Sequence, residues 1–114
     1  MSILKWQEVV SNNRAAAALL GEHNPKMLAA YRGLNEAQPG PGSLDAKTRE
    51  LIALAVAVTT RCDGCIGSHA AAARKAGATE SELSEALGVA IALNAGAAYI
   101  YSLRALDAFE AFKE

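Results

Sequence analysis

An uncharged stretch of 18 residues, positions 86–103, is the feature that most limits how this chain can fold. Its side chains are mostly small and apolar, and 26 of the 114 residues of the chain are alanine. Alanine has the highest helix propensity, and a helix that is apolar on every side must be buried somewhere. The stretch is about as long as a short membrane span. Its Ala and Gly content, with Asn94 and Ser102, instead favours a buried helix or a subunit interface, and no membrane association is expected.

Capping and turn signals divide the rest of the chain into helices. No segment alternates apolar and polar residues over a useful length, so no strand is predicted. Asn24-Pro25, Ser43 or Asp45, and the Thr79–Glu82 capping box are helix starts. The predicted helices cover residues 3–20 and 25–36, then from a cap at Ser43 or Asp45 to about 60, and from about 62 to 76. Two more run from Thr79 to a break at 94–96 and from there to about 112. The expected fold is an all-α, single-domain bundle of about six helices spanning residues 1–114.

Charge and the N-terminal sequence indicate the compartment and exclude some partners. The chain has 11 basic and 12 acidic residues, so no electrostatic attraction to nucleic acid or to an anionic membrane is expected. The N-terminus lacks the layout of a signal peptide, which favours the cytoplasm. In a reducing compartment a close cysteine pair is more often catalytic or metal-binding than a structural crosslink.

The only two cysteines form the motif Cys62-Asp63-Gly64-Cys65, and His69 follows. If this stretch is helical, the spacing places Cys62, Cys65 and His69 on one face. A structural zinc site would need about four ligands, and the chain offers two thiols, the histidines His23 and His69 and, for a mixed site, the Glu50 carboxylate. The thioredoxin motif requires a βαβ unit, which an all-α chain lacks. Two inert core cysteines remain an alternative, and a helical redox dithiol is the favoured reading.

Elementary thiol chemistry supports the redox reading. The thiolate is the reactive form of cysteine, and unpaired N–H groups at a helix start favour negative charge. Two cysteines at i, i+3 in a helical turn have Cα atoms near the separation that a disulfide prefers. Cys65, one turn before His69, is therefore interpreted as the activated thiol and Cys62 as its resolving partner. Glu50 lies on the preceding helix, and from the residues alone it is more typical of a solvated surface.

Three segments together resemble the AhpD-like (alkylhydroperoxidase) branch of the carboxymuconolactone decarboxylase family: residues 44–55, 62–69 and 76–79. The similarity covers roughly residues 25–110. It implies an all-helical fold, usually assembled as homo-trimers or homo-hexamers, and thiol-dependent peroxidase or disulfide reductase chemistry. This chain departs from the better-studied members because it has Gly64 where they carry a histidine.

The resemblance implies a role for each residue of the motif. Peroxide would oxidise Cys65 to a sulfenic acid, and Cys62 would donate a proton and then close the disulfide. Glu50 and His69 would form a proton relay around the thiols. The expected partners are a hydroperoxide substrate and an unidentified thiol or dithiol reductant, with no cofactor and no metal.

Two other functions remain open at this stage. A decarboxylase of a small lactone acid would need no thiol, and the members of the family that have this activity lack the cysteine pair. A non-enzymatic, redox-sensing oligomer could use the same disulfide as a switch. Turnover of peroxide without a partner would separate the enzyme from the sensor.

Overall fold

A computed structural model describes residues 2–114, and within them the chain is helical with no strand. The five helices are α1 (Trp6–His23), α2 (Pro25–Ala37), α3 (Ala46–Thr60), α4 (Asp63–Lys75) and α5 (Glu80–Ala111). The predicted all-α class is confirmed. The helix count is five because the predicted fifth and sixth helices form one continuous helix.

The expected break at residues 94–96 does not occur. The Asn94 side chain turns back along its own helix, and its Nδ2 donates to the Ala90 carbonyl at 2.7 Å. A polar residue that bonds to the preceding turn does not interrupt the backbone hydrogen bonds of a helix. Gly21 does not end α1 either, and a β-carbon built there would lie 2.8 Å from Leu28 Cδ2. Gly21 therefore lets α1 and α2 approach closely.

The predicted helix caps are present. Asp45 accepts a hydrogen bond from the Thr48 N–H at 2.7 Å, and this bond holds the pKa of Asp45 below its usual value. Thr79 and Glu82 form the reciprocal capping box of α5. Gly77 follows α4 with φ of 88°, the left-handed conformation typical of a residue just beyond a helix. These caps could be predicted from the sequence because each depends on only a few neighbouring residues.

The packing order of the helices places α4 in the middle of the described chain. α4 contacts α1 on one side and α3 on the other, while α2 packs on α1 and α5 packs on α3. An ion pair between Lys47 and Glu82, 2.7 Å long, ties α3 to the start of α5 and lowers the pKa of Glu82. The few buried side chains lie in these contacts. They are Leu54, Ala57, Gly67, Ala73 and Ala90.

α4 and α1 approach each other closely at the buried Gly67. A β-carbon at this position would lie 2.8 Å from Val10 Cγ2 and 3.6 Å from Trp6 Cε3. The contact with Val10 is too short for two carbon atoms, and a β-branched side chain in a helix has little rotamer freedom, so the added methyl group would push against α1. Gly67 therefore fixes the distance between α1 and the cysteine-bearing end of α4.

A single copy leaves most of its apolar surface uncovered. Its accessible surface is 9153 Å², whereas a compact monomer of this mass exposes about 5,900 Å². The radius of gyration is 18.7 Å, against about 13 Å for a compact chain of this length. Nine large apolar side chains of α5 are 47–83% exposed. They are Val89, Ile91, Leu93, Tyr99, Ile100, Tyr101, Leu103, Leu106 and Phe109.

By length and composition alone, α5 could also cross a membrane. An 18-residue window of this helix has a mean hydropathy of 1.5, and 6% of the window is buried. This test does not separate a membrane span from a helix that is covered by other protein. The polar flanks of α5 and its contact with α3 favour cover by another copy.

We predict that Gly67→Ala lowers the free energy of unfolding by about 1–2 kcal/mol, because the overpacking penalty exceeds the gain in helix propensity. Gly33→Ala is the matched control, since a β-carbon there meets no atom within 4 Å. The control should be stabilising by about 0.5–1 kcal/mol. Urea unfolding midpoints at one fixed protein concentration measure both changes. Equal changes in the free energy of unfolding at the two positions would show that the close contact at Gly67 does not affect stability.

We also predict that the chain is a homo-oligomer, a trimer or hexamer, assembled through α5. Ala98→Glu should dissociate it or make it insoluble, because a buried charge without a partner is costly. Ser84→Glu is the control, with a charge on the exposed polar side at the start of the same helix. Light scattering at micromolar concentration gives the mass. A monomeric wild-type protein would contradict this prediction, and sedimentation with lipid vesicles would indicate a membrane instead.

Candidate active site

The two cysteines lie at the start of α4 and are joined by a disulfide. Their Cα atoms are 5.2 Å apart, close to the roughly 5.5 Å that disulfides prefer. Cys62 is the N-cap residue, and its Sγ accepts a hydrogen bond from the Cys65 N–H at 3.2 Å. The sulfur atoms therefore lie where the free N–H groups of the first helical turn point.

A one-residue turn brings α3 and α4 together at the disulfide. Arg61 separates the end of α3 from Cys62 and has φ of 55° and ψ of 48°, the left-handed conformation. The Cys62 N–H then donates to the Ala57 carbonyl at 3.1 Å, which closes the end of α3. The short connection keeps α3 and α4 adjacent, and the two helices pack against each other.

Glu50 and His69 meet across this pair of helices. His69 Nδ1 lies 2.6 Å from Glu50 Oε2, although the two residues are 19 positions apart in the chain. Their side chains are 20% exposed for Glu50 and 26% for His69. A carboxylate on Nδ1 holds the proton there, so the second ring nitrogen, Nε2, is available to accept another proton.

Arg49 does not pair with Glu50. Its Nη1 donates instead to the Leu44 carbonyl at 2.6 Å, within the segment that leads into α3. Glu50 is therefore a half-buried partner of His69 and not a solvated surface residue. The structure brings together all four residues that were singled out in the sequence.

Two clefts with different walls open beside the disulfide, and Cys65 and His69 line both. The larger, of about 570 Å³, is bounded by the loop before α3 and by α3 itself, and we name it the apolar cleft. Its other lining residues are Gln38, Pro39, Gly40, Pro41, Ser43, Leu44, Arg49, Ile52, Ala53, Val56, Ala57 and Thr60.

The second cleft, of about 440 Å³, is bounded by α1 and α2, and we name it the polar cleft. It reaches both cysteines, whereas the apolar cleft reaches Cys65 and not Cys62. Its other lining residues are Val10, Asn13, Arg14, Tyr31, Asn35, Gly64 and Ser68. No acidic side chain lines either cleft.

Asn13 is a site residue that the sequence analysis missed. A β-carbon built on Gly64 would overlap the Asn13 amide nitrogen, so an α1 side chain covers the turn between the cysteines. The family expectation was a histidine at position 64, and here an amide from another helix fills the adjoining space. Nothing in the sequence signals this, because an asparagine in the Ala-rich α1 is typical of a solvated face.

No metal-binding cluster of three or more His, Cys, Asp or Glu side chains occurs within residues 2–114. Both sulfurs are taken up by the disulfide, and the Nδ1 of His69 by Glu50. In this arrangement the site can exchange protons and electrons through sulfur.

Residues 25–108 match the sequence model of the carboxymuconolactone decarboxylase family. The chain belongs to this family. A carboxymuconolactone decarboxylase family protein of Legionella pneumophila, solved by crystallography, is 36% identical and superposes with a TM-score of 0.73 over 96% of this chain and 98% of its own. A solved protein of Methanobacterium thermoautotrophicum is also 36% identical, with a TM-score of 0.67, over 73% of this chain and 93% of its own.

The names of the proteins that are similar in sequence do not state an activity. An uncharacterised protein of Haemophilus influenzae is 58% identical over 95% of this chain and 96% of its own length. A protein of Paracoccus denitrificans, named for its position in the cox locus, is 40% identical over 80% and 85%. Family membership therefore supports the fold and a class that includes enzymes, and the chemistry has to be argued from the site.

We predict that the reduced protein has one thiol with a pKa below the free value of about 8.5, and that His69→Ala raises this pKa. Glu50→Gln should shift it in the same direction by less, because Glu50 acts through His69. The rate of alkylation as a function of pH measures each shift. His23→Ala, at the end of α1, is the control for loss of a histidine. Identical profiles for wild type and His69→Ala would exclude His69 from thiol activation.

Proposed function

We propose that this chain is a thiol-dependent peroxidase of the AhpD-like branch, which also acts as a disulfide reductase. The observation that carries the proposal is the Glu50–His69 hydrogen bond beside the Cys62–Cys65 disulfide, in a cleft that reaches Cys65. A carboxylate, an imidazole and a close pair of sulfurs are the groups that a proton-coupled thiol cycle requires.

The cycle begins with the reduced protein. His69 Nε2 takes the proton of the Cys65 thiol, and Glu50 stabilises the imidazolium through Nδ1. The Cys65 thiolate attacks the terminal oxygen of the hydroperoxide, and the O–O bond breaks. Cys65 becomes a sulfenic acid, and the alkoxide leaves as an alcohol after taking the Cys62 proton. The lower pKa of a thiol at a helix start favours each thiolate.

The disulfide then closes. The Cys62 thiolate attacks the sulfur of the Cys65 sulfenic acid, the S–S bond forms, and hydroxide leaves as water with the proton held on His69. The short Cα separation means that this step needs no large backbone movement. An external thiol or dithiol supplies two electrons to restore both cysteines, and the disulfide form described here is the oxidised end of the cycle.

The apolar cleft supports an apolar hydroperoxide as the substrate. Seven of its fourteen lining residues are aliphatic or proline, and its volume of about 570 Å³ is in the range of ligand sites. The reacting end of such a molecule would lie at Cys65 and His69. Its hydrocarbon part would lie against Ile52 and Val56 of α3.

A second candidate is decarboxylation of a small lactone acid, the activity for which the family is named. It is favoured by Arg49 and His69, which line the apolar cleft and could bind a carboxylate. The two functions separate cleanly, because decarboxylation needs no thiol. Peroxidase activity must be lost in Cys65→Ser, whereas decarboxylase activity would persist.

We expect stoichiometric peroxide to convert two titratable thiols per wild-type chain into one Cys62–Cys65 bond. Cys65→Ser should lose peroxidase turnover by at least about a thousandfold, since it removes the nucleophile. Cys62→Ser is the matched variant, because it keeps Cys65 and lacks the resolving thiol. It should accumulate sulfenic and then sulfinic acid on Cys65. Mass analysis of the peptide that holds both cysteines reports each product, and wild-type turnover by Cys65→Ser would refute this nucleophile.

A further inference from the structure

The two clefts do not give equal access to the two sulfurs of the disulfide. Cys62 lines the polar cleft and not the apolar cleft, while Cys65 lines both. A molecule in the apolar cleft can therefore reach Cys65. A molecule that attacks Cys62 has to approach from the side bounded by α1 and α2.

Thiol–disulfide exchange favours attack on Cys62. The attacking thiolate bonds to one sulfur, and the other sulfur leaves with the electron pair of the broken S–S bond. If Cys62 is attacked, Cys65 leaves as a thiolate. Cys65 lies in the first turn of α4 and lines both clefts together with His69. This direction of cleavage leaves the anion beside the imidazole, which can protonate it once it has taken the proton of the attacking thiol.

The polar cleft carries one cation and several uncharged hydrogen-bonding groups. Arg14 forms no ion pair in the described part of the chain, where ion pairs join Lys47 to Glu82, His69 to Glu50 and Lys113 to Glu110. Amide and hydroxyl groups surround the approach to the sulfurs, and no carboxylate does. They belong to Asn13, Tyr31, Asn35 and Ser68.

We propose that the polar cleft is the docking site of the reductant, and that it favours a small thiol that carries a carboxylate. This rests on the proposed redox cycle and adds a division of the site, with oxidant in the apolar cleft and reductant in the polar cleft. Arg14 attracts the carboxylate and places the thiolate sulfur at Cys62. Anionic ligands gain both affinity and association rate from an exposed, unpaired cation that lines a cleft.

The electrons balance over two thiols. The first thiol gives its proton to His69 Nε2, and its thiolate forms a mixed disulfide with Cys62. The Cys62–Cys65 bond breaks, and the Cys65 thiolate takes that proton back from His69. A second thiol loses its proton, its thiolate attacks the sulfur of the bound reductant, and the small-molecule disulfide leaves. Cys62 takes the electron pair and the proton of the second thiol. One protein disulfide and two thiols thus become one protein dithiol and one small disulfide.

The test measures reduction of the oxidised full-length protein by three thiols of similar size: mercaptopropionate, mercaptoethanol and mercaptoethylamine. The Arg14→Gln variant should react about three- to tenfold more slowly with the anion, and less than twofold more slowly with the neutral thiol. The cationic thiol should react equally fast or faster. Comparing each thiol between wild type and variant cancels its intrinsic reactivity. Rapid quenching with iodoacetamide and protein mass gives the rates.

Arg14→Lys should recover part of the lost rate, and added salt should reduce the difference between wild type and Arg14→Gln. Arg32→Gln is the matched control, because Arg32 lies on α2 and lines a separate depression. It should change none of the three rates. An equal loss of rate with all three thiols in Arg14→Gln would overturn the charge assignment.

The position of the mixed disulfide is an independent readout. Early quenching should give mercaptopropionate on Cys62 and alkylation on Cys65, assigned by fragmentation of the peptide. The reverse arrangement would overturn docking in the polar cleft. None of these measurements uses peroxide, so they separate this inference from the proposed peroxidase. If the protein had no peroxidase activity but its reduction were still charge-selective, the proposed function would be wrong and the docking site in the polar cleft would stand.

Discussion

The left-handed backbone of Arg61 reverses the chain between α3 and α4, and the whole site depends on this reversal. Since one residue separates the end of α3 from the N-cap of α4, the two helices lie side by side from their junction onward. Glu50 and His69, each well away from the turn, therefore come within hydrogen-bonding distance. The same turn exposes the first N–H groups of α4 to the sulfurs. Non-glycine residues rarely adopt this conformation, which costs on the order of 1 kcal/mol.

The second constraint is the close contact of α1 with α4 at Gly67. It brings a polar helix face over one side of the disulfide, while the segment before α3 forms the apolar wall on the other side. A fold with little buried core thus gives one pair of sulfurs two different surroundings. The residues that differ between them come from α1 and α2 on one side and from the loop and α3 on the other.

The sequence was sufficient for the features that depend on near neighbours. Helix caps, the Gly77 terminus and the placement of the cysteines at a helix start all follow from short motifs, and all are present. Glu50 was different, because its partner lies 19 residues away and only the family resemblance pointed to it. The sequence did not indicate that Asn13 and Arg14 lie at the site, because their position there depends on how α1 packs against α4. The break expected in α5 failed because the Asn94 side chain bonds within its own helix.

The capping role of Cys62 connects redox chemistry to the stability of the fold. A helix terminus that lowers the pKa of a thiol is stabilised by the resulting thiolate to the same extent, because the linkage is reciprocal. In the oxidised chain the sulfur of Cys62 is tied covalently to the first turn of α4. In the reduced chain that terminus is free to gain stability as the pH rises through the thiol pKa in the folded state, and to lose it as the pH falls. The stability of the first turn of α4 therefore depends on whether the cysteines are oxidised and, in the reduced protein, on the pH.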